Sequence, residues 1–132
     1  MAVAGFLFNP VYVDRGDPAQ SRAALAGAVE RIQSGTSVLI FPEGTRMPTA
    51  EPGPFKKGAF HMAMQAGVPI VPVVIRNAGE LMGSSGIAMR PGTVDVHVHE
   101  PIDTSDWRTE DLGTIVPAVR QLFVDTLEKW PE

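Results

Sequence analysis

Apolar residues recur along the chain with two periods, and the switches between them order the elements. Phe6 to Val13 is apolar and stops at the turn-rich Asp14-Arg15-Gly16-Asp17-Pro18, which reads as a strand that Pro10 bulges or holds at an edge. Asp17 is then placed to cap a helix with Pro18 at its first position. Ala24, Leu25, Ala28, Val29 and Ile32 follow at helical spacing, and Ser34-Gly35 ends that helix. The short unbroken apolar run Ser37 to Phe41 predicts a strand buried on both faces. A proline-rich loop spans Pro42 to about Phe55, a second helix spans Lys57 to Ala66 and closes at Gly67, and Pro69 to Ile75 reads as another buried strand. Val94, Val96 and Val98 alternate with Asp95, His97 and His99, a half-exposed strand with one polar face. The last helix carries Leu112, Ile115, Val116, Val119, Leu122, Phe123, Leu127 and Trp130 on one stripe, with Pro117 either kinking it or marking its start. Strands alternating with helices predict an α/β fold, a largely parallel sheet with flanking helices.

Composition narrows the chemistry. The 132 residues fit one domain, and 44% hydrophobic with 20% charged is enough to build a core. A net charge of −4 gives no basic field for nucleic acid. The absence of Cys removes disulfides, thiolate catalysis and thiolate metal sites. The longest strongly apolar run, Ala66 to Ile75, contains two prolines and falls short of the roughly 20 residues a membrane-spanning helix needs. Met1 to Phe8 has no basic residue ahead of its apolar stretch and no cleavage site, so no signal peptide is expected and the chain reads as soluble.

Phe41-Pro42-Glu43-Gly44-Thr45-Arg46 follows directly from an expected strand end, where α/β sheets place their ligands. Its chemistry suits an anionic, hydroxyl-bearing ligand. Gly44 lets the backbone approach closely, Thr45 offers a hydroxyl, and Arg46 presents a planar fork matched to phosphate. Glu43 could accept a hydrogen bond from a substrate hydroxyl or orient Arg46. A tight loop with a local Glu/Arg pair is the plainer alternative. His97 and His99 sit at the i, i+2 spacing of a metal pair, but no third ligand is evident, so no metal is expected.

Three ordered blocks resemble the glycerolipid (lysophosphatidic acid) acyltransferase family: Val11-Tyr12-Val13-Asp14-Arg15, Phe41 to Arg46, and Val68-Pro69-Ile70-Val71-Pro72-Val73. Phe55-Lys56-Lys57-Gly58-Ala59-Phe60, between the last two, is also similar to that family. The match covers residues 11–75; the C-terminal third matches only in style, and Phe6 to Pro10 is unusual for the family. The family's first block, His-x-x-x-x-Asp, does not occur: the residues five positions after His61, His97 and His99 are Ala66, Ile102 and Thr104.

The resemblance implies transfer of a fatty acyl group to the hydroxyl of a lysophospholipid or glycerol phosphate acceptor. The donor would be acyl-CoA or acyl carrier protein, a co-substrate, with no cofactor. In that chemistry His acts as general base and Asp orients it. This chain would be a partial acyltransferase domain, residues 1–132, N-terminally truncated and without catalytic residues of its own. It would hold the acceptor-binding part: Arg15 and Arg46 as phosphate contacts, Lys57 as a further candidate, and Glu43, Gly44 and Thr45 around the glycerol. Alternatives stand beside these roles. Arg15 could pair with Asp14 or Asp17, Lys56 and Lys57 could form a solvated helix start, and Pro69 and Pro72 could only shape a strand. The complete enzyme is expected at the cytoplasmic face of a membrane, reached through segments outside this chain. Three accounts of the missing block stay open: a start lying upstream, a fragment of a larger acyltransferase, or a non-catalytic phosphate- or lysolipid-binding module.

Overall fold

A computed structural model of the protein describes residues 18–45, 47, 49–81 and 90–131. In chain order these form α1 (Pro18–Gln33), α2 (Gly58–Ala66), β1 (Val73–Arg76), a single turn α3 (Ala78–Leu81) and β2 (Asp95–Val98). A 3-10 turn, Thr109–Asp111, then leads into α4 (Leu112–Glu128). The strand expected over Phe6 to Val13 lies outside the described residues.

Helix boundaries follow the local signals. Pro18 opens α1 as its first residue. Gly35 ends it at φ 95°, with the Thr36 N–H closing on the Arg31 carbonyl at 3.0 Å. Gly67 ends α2 in the same way, at φ 70°, with the Val68 N–H on the Ala63 carbonyl at 3.1 Å. Pro117 lies inside α4, and the 3-10 turn precedes Leu112, so the helix begins ahead of the proline.

Helix α1 packs on α2, and α4 packs on β1. The main core joins Phe55 and Phe60 to Leu112, Val116 and Val119, with Trp107 and Phe123 at its margin. Phe60 and Trp107 stack with ring centroids 6.1 Å apart. Leu112 is fully buried.

The sheet differs from expectation in two ways. Among the described residues its paired strands, β1 and β2, run antiparallel, with Val73 opposite Val98 and Ile75 opposite Val96. The register slips by one residue between the outlying bridge Ile70 to Ile102 and this ladder, with Pro101 in the longer arm, as at a bulge. Ser37 to Phe41, expected as a doubly buried strand, joins no sheet ladder, and Leu39 and Phe41 are 75% and 69% exposed. Its apolar run fits a strand, but no neighbouring strand among the described residues offers it a ladder. Ile75 and Val71 of the second expected buried strand are likewise exposed, because α4 covers only the opposite face, where Val74 is buried.

Candidate functional site

Directly after Phe41 the chain makes an excursion whose ends meet, because the Lys56 N–H donates to the Pro42 carbonyl at 2.8 Å. Residues 42–56 therefore form an Ω-type loop. It opens with a turn in which the Gly44 N–H bonds the Phe41 carbonyl at 3.1 Å. Gly44 adopts φ 69°, the left-handed region where a side chain would be strained, so glycine is required there for backbone shape.

Inside the loop a cross-brace joins its two arms. The Gly53 N–H donates to Oε2 of Glu43 at 2.8 Å, and Gly53 itself is buried. A Cβ at position 53 would lie 2.7 Å from Sδ of Met47, so the returning arm passes tightly under that side chain. Glu43 thus spends one carboxylate oxygen on its own loop and keeps Oε1 for other donors.

Helix α4 holds the returning arm from outside. Nε of Arg120 donates to the carbonyls of Pro52 and Gly53 at 3.0 and 3.1 Å. Nη2 reaches the Pro52 carbonyl at 2.6 Å and pairs with Oε1 of Glu51 at 2.9 Å. One helical turn further along, Phe123 meets Phe55 edge to face, centroids 5.1 Å apart. Sequence reasoning missed both Arg120 and Gly53. Arg120 had a readable signal: it stands four residues after Val116 and three before Phe123, a charged residue on the apolar stripe of an amphipathic helix.

Among the expected site residues, Glu43, Gly44 and Thr45 share this loop, with Thr45 exposed. Lys57 lies just beyond the neck, exposed, and precedes α2 without a side-chain cap. Arg15 and Arg46, the expected phosphate pair, lie outside the described residues. A cleft of about 330 Å³ runs between the returning arm and α4, lined by Ala50, Pro52, Arg76, Val124, Leu127 and Glu128.

A second polar cluster sits under the sheet. Arg76 bonds Asp95 at 2.6 Å and lies 4.5 Å from the ring centre of Trp130. The rings of His97 and His99 meet edge to face at 4.6 Å, and His97 also approaches Trp130. Nε2 of His99 is 2.8 Å from the Thr126 hydroxyl, whose proton is committed to the Leu122 carbonyl at 2.6 Å. Thr126 therefore accepts, and His99 carries a proton on Nε2. Burial, and then the neighbouring His97, hold the His99 pKa below the ordinary histidine value. Among the described residues no three His, Cys, Asp or Glu side chains come together as a metal site would require. No helix among them is long and apolar enough to cross a membrane.

Comparison with known proteins decides the family. Residues 4–76 match the model of the acyltransferase family, a stretch that carries the intact Phe41 to Arg46 block and the loop built on it. The chain belongs to the glycerolipid acyltransferase family. It is 36% identical over 124 residues to a 1-acyl-sn-glycerol-3-phosphate acyltransferase of Cocos nucifera, covering 92% of this chain and 40% of that relative. It is also 36% identical over 132 residues to the enzyme of that name from Saccharomyces cerevisiae, covering 98% of this chain and 42% of the relative. The crystal structure of the 1-acyl-sn-glycerophosphate (LPA) acyltransferase PlsC from Thermotoga maritima superposes with a TM-score of 0.72 at 29% identity, over 85% of this chain and 50% of that one. The chain thus spans about two-fifths of the length of these curated acyltransferases and half of the solved one.

Proposed function

We propose that this chain supplies the acceptor-binding part of an acyltransferase of phospholipid biosynthesis. The reaction moves a fatty acyl group from acyl-CoA or acyl carrier protein to the free hydroxyl of a lysophosphatidic acid-type acceptor, giving phosphatidic acid. No cofactor takes part, and the complete enzyme works at a membrane surface. Arg15 and Arg46 contact the acceptor phosphate with Lys57 nearby, while Glu43, Gly44 and Thr45 line the glycerol. The observation that carries this reading is the Glu43-Gly44-Thr45 turn, intact in sequence and held in one loop with a carboxylate oxygen to spare. No His-x-x-x-x-Asp pair occurs in the chain, so the general base, typically worth about 10²–10⁴-fold, comes from elsewhere and the chain alone does not turn over.

The same absence favours one other reading, a phosphate- or lysolipid-binding module with no transfer step. Two assays on the purified chain separate them. Incubated with acyl-CoA and lysophosphatidic acid, the chain releases no free CoA; turnover in the ordinary range of about 1–10³ s⁻¹ would overturn the missing-base reasoning. In titrations with a water-soluble lysophosphatidic acid, Arg46→Ala weakens binding by about 10–100-fold, the loss of a charged hydrogen bond, and leaves acyl-CoA binding unchanged. Binding of the acceptor with no binding of any acyl donor favours the module, and equal loss for both ligands removes the phosphate assignment.

A further inference from the structure

The Glu43 carboxylate is fixed through a relay that starts on another element. Its Oε2 is held by the Gly53 N–H, and the Pro52 and Gly53 carbonyls on either side of that amide are held by Arg120 of α4. An arginine fork on two successive carbonyls fixes the orientation of the peptide between them, because a planar guanidinium on planar acceptors tolerates little rotation. The peptide so fixed is the one whose N–H meets Glu43. Arg120 is only 27% exposed, and it lies on the packed stripe of α4 between Val116 and Phe123.

We propose that Arg120 is a positioning residue for the acceptor site: it orients the Pro52–Gly53 peptide so that the Gly53 N–H holds Glu43 with its other oxygen turned to the acceptor hydroxyl. Arg120 itself touches no acceptor. The pair with Glu51 is secondary, since that carboxylate is 65% exposed and its attraction is screened by water. This inference rests on the acceptor-facing role of Glu43 given above, but its first link, from Arg120 through Gly53 to Glu43, can be read without any acceptor.

The experiment uses the purified chain with Arg120→Ala, Arg120→Lys and Glu51→Gln, and reads three quantities. Amide exchange at Gly53 accelerates at least tenfold in Arg120→Ala, and the ¹³C side-chain resonance of Glu43 moves toward its position in an unfolded peptide. Arg120→Lys keeps the charge but not the fork and moves both in the same direction by less. Glu51→Gln leaves both in place. Lysophosphatidic acid binding falls about tenfold in Arg120→Ala, while exchange in α2 stays as in the parent. If Arg120→Ala does not fold, Arg120→Lys against Glu51→Gln decides the same point. Unchanged Gly53 exchange and Glu43 resonance in the lysine variant, or equal changes in Glu51→Gln, overturn the proposal. So does full acceptor affinity in a variant whose Gly53 amide has become exposed. A parent chain that binds no lysophosphatidic acid overturns the acceptor-facing half of the proposal together with the functional reading, and the relay is then kept or lost on the Gly53 and Glu43 signals.

Discussion

On one side of α4, Leu112, Val116 and Val119 close over Phe55 and Phe60; on the outer face of β1 and β2, Ile75, Val96 and Val98 stand 43%, 53% and 58% exposed. Both surfaces are built from strongly apolar side chains with regular spacing. They differ in what stands opposite. The outer sheet face has no layer on it among the described residues, while the inner face meets α4 and the chain beyond it. That inner face carries the polar side chains of β2 and of His99 just after it, which find partners there: Asp95 with Arg76, His97 with Trp130, His99 with Thr126. Period fixes which residues share a face; the available partner fixes which face turns inward.

The largest expected effect lies on the packed side. Leu112→Ala opens a cavity at a fully buried site and costs about 2–5 kcal/mol, read as a lower denaturation midpoint with an unchanged slope in urea. A loss under 1 kcal/mol would mean that the packed side is no better consolidated than the bare one. Phe123→Ala removes the edge-to-face partner of Phe55 and part of a half-buried ring. We expect about 1–3 kcal/mol, together with faster amide exchange in residues 49–55 and little change in α1.

A smaller effect tests the inner sheet face. Because the folded state holds His99 below its ordinary pKa, it binds fewer protons than the unfolded chain in the window below about 6.5. Stability is therefore full above that pH and falls as pH drops through it toward the lowered value. A His99→Gln variant should show a shallower loss of melting temperature between pH 7 and pH 5. A slope identical to the parent's would place the titrating group elsewhere.

The smallest effect on stability is expected on the outer face. Ile75→Thr with Val96→Thr keeps strand propensity and should change stability by no more than about 0.5 kcal/mol. The same pair should lower concentration-dependent self-association, measured by light scattering, because a bare patch of β-branched side chains favours contact. A large destabilisation would show that this face is covered in solution.

Much of the helical structure was legible in the sequence, for local reasons. Pro18, Gly35 and Gly67 set helix ends through their own backbone limits, and the stripe from Leu112 to Phe123 needs only the helical period. The sheet was less legible. Ser37 to Phe41 has the composition of a buried strand, but composition cannot supply the neighbouring ladder. The alternation in β2 separates a valine face from a polar face as expected, but does not say which of the two meets α4: Val96 and Val98 are the exposed ones. At the site, the hexapeptide named Glu43, Gly44 and Thr45 because its spacing is local. Arg120 and Gly53 escaped because their connection spans 67 residues of chain, and only the misfit of a charge on an apolar stripe hinted at it.

The tie between the Lys56 amide and the Pro42 carbonyl gives the motif loop the character of a replaceable cassette. With both ends pinned, extra residues at the exposed Thr49-Ala50 stretch alter only a closed excursion, whose closure entropy grows slowly: doubling its length costs about 0.6 kcal/mol. Phe41 and α2 then keep their spacing whatever the loop's length. Changes in length would be inexpensive to install there, at the far turn of the loop, without disturbing the Glu43-Gly44-Thr45 turn at its base.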